Sequence, residues 1–104
     1  MANWNPPNKN EALEFAVCLE DWANPGLFKS NPTLAAGDAK VSLDGAALAN
    51  LATLPAVTPA SSKIVRVQLS SSEMNADQVV VIFSDQTVPP EWADYSITIL
   101  TTTP

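Results

Sequence analysis

A chain of 104 residues can bury most of its apolar surface as one domain without metals or disulfides, and with 46% hydrophobic against 15% charged residues its exterior must be covered by Ser, Thr, Asn, Gln, Ala and Pro. The net charge is −6 and the five basic residues, Lys9, Lys29, Lys40, Lys63 and Arg66, are scattered, so there is no basic face to neutralise phosphates; this excludes nucleic acid and anionic membranes as partners. Histidine is absent and Cys18 is the only cysteine, which removes Ser-His-Asp and Cys-His catalysis, an internal disulfide and nearly every zinc site.

A surface of small polar groups loses little on desolvation and suits a protein packed against neighbours. The polar start, Met1 to Asn10, lacks the basic and apolar regions of a signal peptide, and no run approaches the length of a membrane-spanning helix. The expected setting is synthesis in the cytosol, followed by a soluble existence or incorporation into an assembly.

Residues 1–10 hold Trp4 and the pair Pro6-Pro7 among several Asn, a composition that opposes regular structure and defines an N-terminal arm; residues 11–104 then form the domain. From Leu13 to Glu20 the apolar Leu13, Phe15, Val17 and Leu19 alternate with Glu14, Ala16, Cys18 and Glu20, the period of a half-buried strand. Asn24-Pro25-Gly26, Ser30-Asn31-Pro32 and Ala36-Gly37-Asp38 break the next stretch into turns. Its Leu27, Phe28 and Leu34 are expected to pack on the sheet edges.

Lys40 to Leu43 predicts a short strand closed by Asp44-Gly45, a dipeptide suited to a tight hairpin turn, with a second arm through Leu48 and Leu51. Residues 54–62, with Pro55 and Pro59, predict an extended crossing between two sheets. Ile64 to Leu69 is a half-buried strand with Val65, Val67 and Leu69 inward. Ser70 to Asp77 is a polar bridge in which Ser71 or Ser72 caps a helical turn and Met74 plugs the core.

Val79 to Phe83 is apolar on both alternating sets and predicts a central strand covered on both faces. Pro89-Pro90 forces the following turn into an extended path. Trp92 to Thr101 alternates again, with Tyr95, Ile97 and Ile99 on one side. Short strands at intervals of about ten residues predict an all-β fold, a single antiparallel β-sandwich of Ig-like type with a jelly roll as the alternative. Its expected core is Phe15, Val17, Val41, Leu43, Val65, Val67, Leu69, Val81, Phe83, Tyr95 and Ile97.

The paired acids Glu20-Asp21 and Glu91/Asp94 are the nearest approach to a two-carboxylate catalytic site, which would need one carboxyl raised by burial. Asp38, Asp44, Asp77 and Asp85 lie at strand ends, but no spacing resembles a calcium loop, and Asx turns are the expected role. Cys18 lies beside Glu14 and Glu20, which oppose thiolate formation. No catalytic residue, metal ligand or cofactor is assigned, and no enzymatic activity is expected. The candidate interface residues are Trp4, Pro6, Pro7, Trp22, Phe28 and Trp92. Trp4 stands out because a short arm has little core of its own in which to bury an indole, so it either folds back on the sandwich or inserts into a neighbour.

The run Phe28 to Asp38, Lys40 to Gly45, Leu51 to Pro55, Val57 to Ala60, Val65 to Ser70, Glu73-Met74-Asn75-Ala76-Asp77 and Val79 to Asp85 resembles a small β domain that recurs in tailed-bacteriophage and prophage structural proteins. The resemblance spans roughly residues 11 to 103, with Glu-Met-Asn-Ala-Asp its most specific element. It implies a virion location and partners among other virion proteins, either the major capsid protein or tail and neck proteins, in a homo-oligomeric or multi-copy arrangement. A domain standing alone with a short arm is expected to be a capsid decoration or cement subunit. The alternative is a tail or fibre adaptor, or a host-surface module that binds glycans.

Overall fold

In a computed structural model, residues 7–103 are described; Trp4 and Pro6 lie outside them. Seven strands follow in order: β1 (Leu13–Cys18), β2 (Ala39–Leu43), β3 (Ala49–Asn50), β4 (Ala56–Val57), β5 (Ile64–Leu69), β6 (Gln78–Phe83) and β7 (Tyr95–Leu100). They form two antiparallel sheets, β1-β5-β4 and β3-β2-β6-β7, and no helix occurs among the described residues. β5 inserts between β1 and β4 while β6 inserts between β2 and β7. That interleaving is the Ig-like order, and it decides against the jelly roll. The extended crossing expected over 54–62 contains β4, which lies in the other sheet from β3.

The period-two alternation sets the registers. Leu13, Phe15 and Val17 stand opposite Leu69, Val67 and Val65, while Val41 stands opposite Val81 and Val81 opposite Ile97. These inward sets meet in one core with Leu19, Ala39, Val79, Phe83, Met74 and Trp92. Phe15, Leu43 and Ile97 are only partly buried but pack against it.

Three expectations need correction. Tyr95 shares its register with Phe83, yet it is 41% exposed, because β7 is the last strand of its sheet and nothing among the described residues covers its outer flank there; the two rings lie 6.1 Å apart. β6 is an interior strand, but only Val79, Val81 and Phe83 are fully buried. Val80 and Ile82 face outward half-covered, since a two-layer sandwich supplies no second layer on that side. Leu27 and Phe28 do not pack on the sheet edges but are exposed, and Leu34 alone of that trio packs on the core.

Side-chain hydrogen bonds fix the ends of the sandwich. Asp44 and Gly45 both take positive φ, 50° and 80°, and Ala46 N–H donates to the Leu43 carbonyl at 2.9 Å, closing the turn read from the dipeptide. The Asp44 carboxylate accepts from the N–H groups of Asp77 and Gln78 at 3.1 and 2.9 Å, tying that turn to the start of β6. The bridge before β6 is capped by Ser70 rather than Ser71 or Ser72. Glu73 N–H donates to Ser70 Oγ at 3.2 Å and Ser70 N–H donates back to Glu73 Oε1 at 2.9 Å, a reciprocal capping box. Glu73 Oε2 also accepts from Ala52 N–H at 2.9 Å, and Met74 is fully buried beneath the turn, as expected.

The N-terminal arm is read from the sequence over residues 1–10, of which residues 7–10 are described. Pro7 to Asn10 belong to the folded domain: Thr102 N–H donates to the Pro7 carbonyl at 2.9 Å, Lys9 N–H to the Thr102 carbonyl at 2.8 Å, and Asn10 N–H to the Met74 carbonyl at 3.0 Å.

Candidate functional site

The ends of β1, β4 and β6 and the starts of β2, β5 and β7 lie together, so the connections 19–38, 58–63 and 84–94 share one end of the sandwich. Loops displayed on a rigid sandwich are where binding residues concentrate. Here the loops are fastened to one another. Trp22 N–H donates to the Glu91 carbonyl and Ala93 N–H to the Glu20 carbonyl, both at 3.0 Å, framing the Asp21–Trp92 bridge. Thr33 N–H reaches Glu91 Oε1 at 3.1 Å, and Asn31 N–H reaches the Ser62 carbonyl at 2.8 Å.

Two buried carboxylates brace the same end. Asp38 accepts from the N–H groups of Ala35 and Gln86 at 2.9 and 3.1 Å, while its carbonyl takes the Ser84 N–H at 2.8 Å. Asp85 accepts from Glu91 N–H at 2.7 Å, from Thr87 N–H at 2.9 Å and from the Thr87 hydroxyl. Burial pushes the Asp85 pKa up, but these three donors outweigh it and hold the carboxyl below its ordinary value.

On this braced end the excursion 19–29 folds back on itself. Asp21 N–H donates to the Leu27 carbonyl at 2.8 Å and Lys29 N–H to the Leu19 carbonyl at 2.7 Å, with Gly26 at φ 94° in the Asn24-Pro25-Gly26 turn. Phe28 stands opposite Glu20, and Trp22 follows Asp21 where the ribbon bends away. Trp22 is 54% exposed, Phe28 53% and Leu27 60%; Val88, on the 84–94 connection, is 91% exposed. A shallow cavity of about 260 Å³ is lined by Glu20, Asp21, Trp22, Pro25 and Ala93.

Of the candidate interface residues, Trp22 and Phe28 are both solvent-exposed on the 19–38 connection. Pro7 is bonded to Thr102 at the other end of the sandwich. Trp92 is fully buried and offers no surface to a partner, because its pairing with Asp21 turns the indole into the core. Val88 escaped the sequence reading and Leu27 was read as packing inward, since an apolar residue in a turn carries no sign of whether it points in or out.

The acids that stood as catalytic candidates are engaged by the turns. Glu20 accepts from Gly26 N–H at 2.8 Å, Asp21 from Ala23 N–H at 3.0 Å, and Asp94 from the Ser84 hydroxyl at 2.8 Å. Asp21, like Asp85, is held below its ordinary pKa: the desolvation that would raise it is outweighed by hydrogen bonds from Asn24 and Ala23 and by the charge of Lys29. A general acid needs displacement in the other direction. Asp38, Asp44 and Asp85 accept backbone N–H groups in turns, whereas Asp77 takes the Lys9 ammonium at 3.2 Å. Cys18 is half-buried in register with Ile64.

Comparison of the chain with protein-family models, curated proteins and solved structures returned no match. The class that fold and site define is an Ig-like sandwich displaying a braced, apolar loop end.

Proposed function

We propose that this chain is a non-enzymatic structural subunit that docks on a partner protein through its loop end, and that the assembly is a tailed-phage virion in which it serves as a capsid decoration or cement protein. The observation that carries the docking role is the exposure of four large apolar side chains, Trp22, Leu27, Phe28 and Val88, on two loops of one end that are fastened to each other by main-chain hydrogen bonds. Exposed aromatic anchors on a pre-ordered frame lose little conformational entropy on docking and dominate interface energies. The low charge content favours a surface that sheds water cheaply. The virion setting comes from the motif resemblance.

Glycan binding is less well served. A sugar site needs aromatics grouped with unengaged polar oxygens. Trp22 and Tyr95 line separate cavities, and the Glu20 and Asp21 carboxylates already accept hydrogen bonds from their own turn. Mass spectrometry of purified particles from a lysate that produces the protein tests the proposal. Recovery in fixed stoichiometry with the major capsid protein is expected; particles that lack the chain overturn the virion assignment.

A further inference from the structure

The sandwich has four sheet edges, and they differ. β3 and β4 contribute two residues each, with Pro55 and Pro59 flanking β4, so those edges expose little pairing backbone. β1 and β7 run for six residues each along one side of the molecule. They are joined at one end by the pairing of Asp21 with Trp92 and linked at the other by residues 7–9 at Thr102, which enter the β7 edge. Among the described residues nothing pairs with β1 on the side away from β5. In an Ig-like sandwich the first strand occupies that place, and here β1 corresponds to the second.

The side chains register the gap. Leu13 and Phe15 are half-buried and Tyr95 is exposed, although their register partners Leu69, Val67 and Phe83 are fully buried. Long sheet edges are normally blunted by Lys, Pro, a bulge or an inward charge. β1 has no Lys, Pro, bulge or inward charge, and its one edge charge is Glu14; the rest of its outward set, Ala16 and Cys18, is small.

We propose that the β1 edge is a docking site for an extended segment of a partner protein, which adds to the sheet as a strand with apolar side chains at alternate positions and Lys or Arg between them. The apolar set fills the gap beside Leu13 and Phe15. Charge selects the basic set: Glu11 precedes this edge and Glu14 lies on it, and the Glu14–Arg66 pair, at 3.6 Å and half exposed, is too weak to withhold Glu14. A second copy of the chain is disfavoured as the occupant because each copy carries a net charge of −6. This inference is independent of the virion assignment and of the loop end.

The test uses the full chain and a capped eight-residue peptide alternating Val and Lys, with amide hydrogen exchange read by NMR. Slowing of the outward-facing β1 amides by at least about tenfold, with β4 unchanged, is expected on adding the peptide. The same peptide N-methylated at alternate amides, or carrying Glu in place of Lys, has little effect. Three results overturn the proposal: no slowing with the Val-Lys peptide; slowing that follows protein concentration without peptide, which assigns the edge to a second copy; or full protection in the dilute free chain, which assigns it to the chain's own residues.

Discussion

Asp85 shows how one side chain stabilises the loop end. Its carboxyl is buried, and hydrogen bonds from Glu91 and Thr87 keep its folded pKa below the ordinary 3.8. A depressed folded pKa contributes stability that is fully present above the unfolded value and is lost as pH falls through the folded one. The midpoint of thermal unfolding should therefore decline as pH drops below about 4. Asp85→Asn should cost about 1–3 kcal/mol at neutral pH and flatten that acid decline, as followed by circular dichroism across the range. A variant with the wild-type acid profile would remove Asp85 from this role. Trp92 is a second residue with opposed terms: its ring is fully buried, but its indole N–H has no hydrogen-bond partner among the described residues. Trp92→Ala should cost about 3–5 kcal/mol in chemical denaturation. Trp92→Phe should cost distinctly less, since it removes the unpaired donor together with the lost volume.

At the scale of elements, alternation located the long strands β1, β5 and β7 because each has one face in the core and period-two patterning reports that directly, whereas β6 was found as a continuous apolar run that hides its outward set. Boundaries were less legible. Leu19 continues the inward set, so the alternation ran past Cys18, although the backbone leaves β5 there and pairs instead with residues 27–29 and 91–93. Trp92 looked like the opening of β7 for the same reason. Ser70 was missed as the cap because Ser70, Ser71 and Ser72 are equivalent in composition; its spacing of three from Glu73 was the available signal. Glu73→Ala should cost about 1–2 kcal/mol, since the Ser70 and Ala52 N–H groups both lose their acceptor, and local hydrogen exchange should rise at both. Phe83→Ala, in the centre of the core, should cost about 3–5 kcal/mol.

At the scale of the molecule, the Ig-like architecture was legible from strand spacing, whereas the gathering of Trp22, Leu27, Phe28 and Val88 at one end was not, since it depends on which loops the topology brings together. Residues 7–10 are part of the fold, so removing residues 1–6 is the cut that tests an anchoring role for Trp4, with reduced particle occupancy and an unchanged unfolding midpoint expected. Cys18→Ser should leave occupancy unaltered. The most direct measurement of the docking role is the occupancy of a Trp22→Ala, Phe28→Ala double variant on washed particles, paired with its thermal unfolding. Both side chains are about half exposed, so the midpoint should hold within a few degrees while occupancy falls by about tenfold or more. Wild-type occupancy of a folded double variant would contradict docking through the loop end.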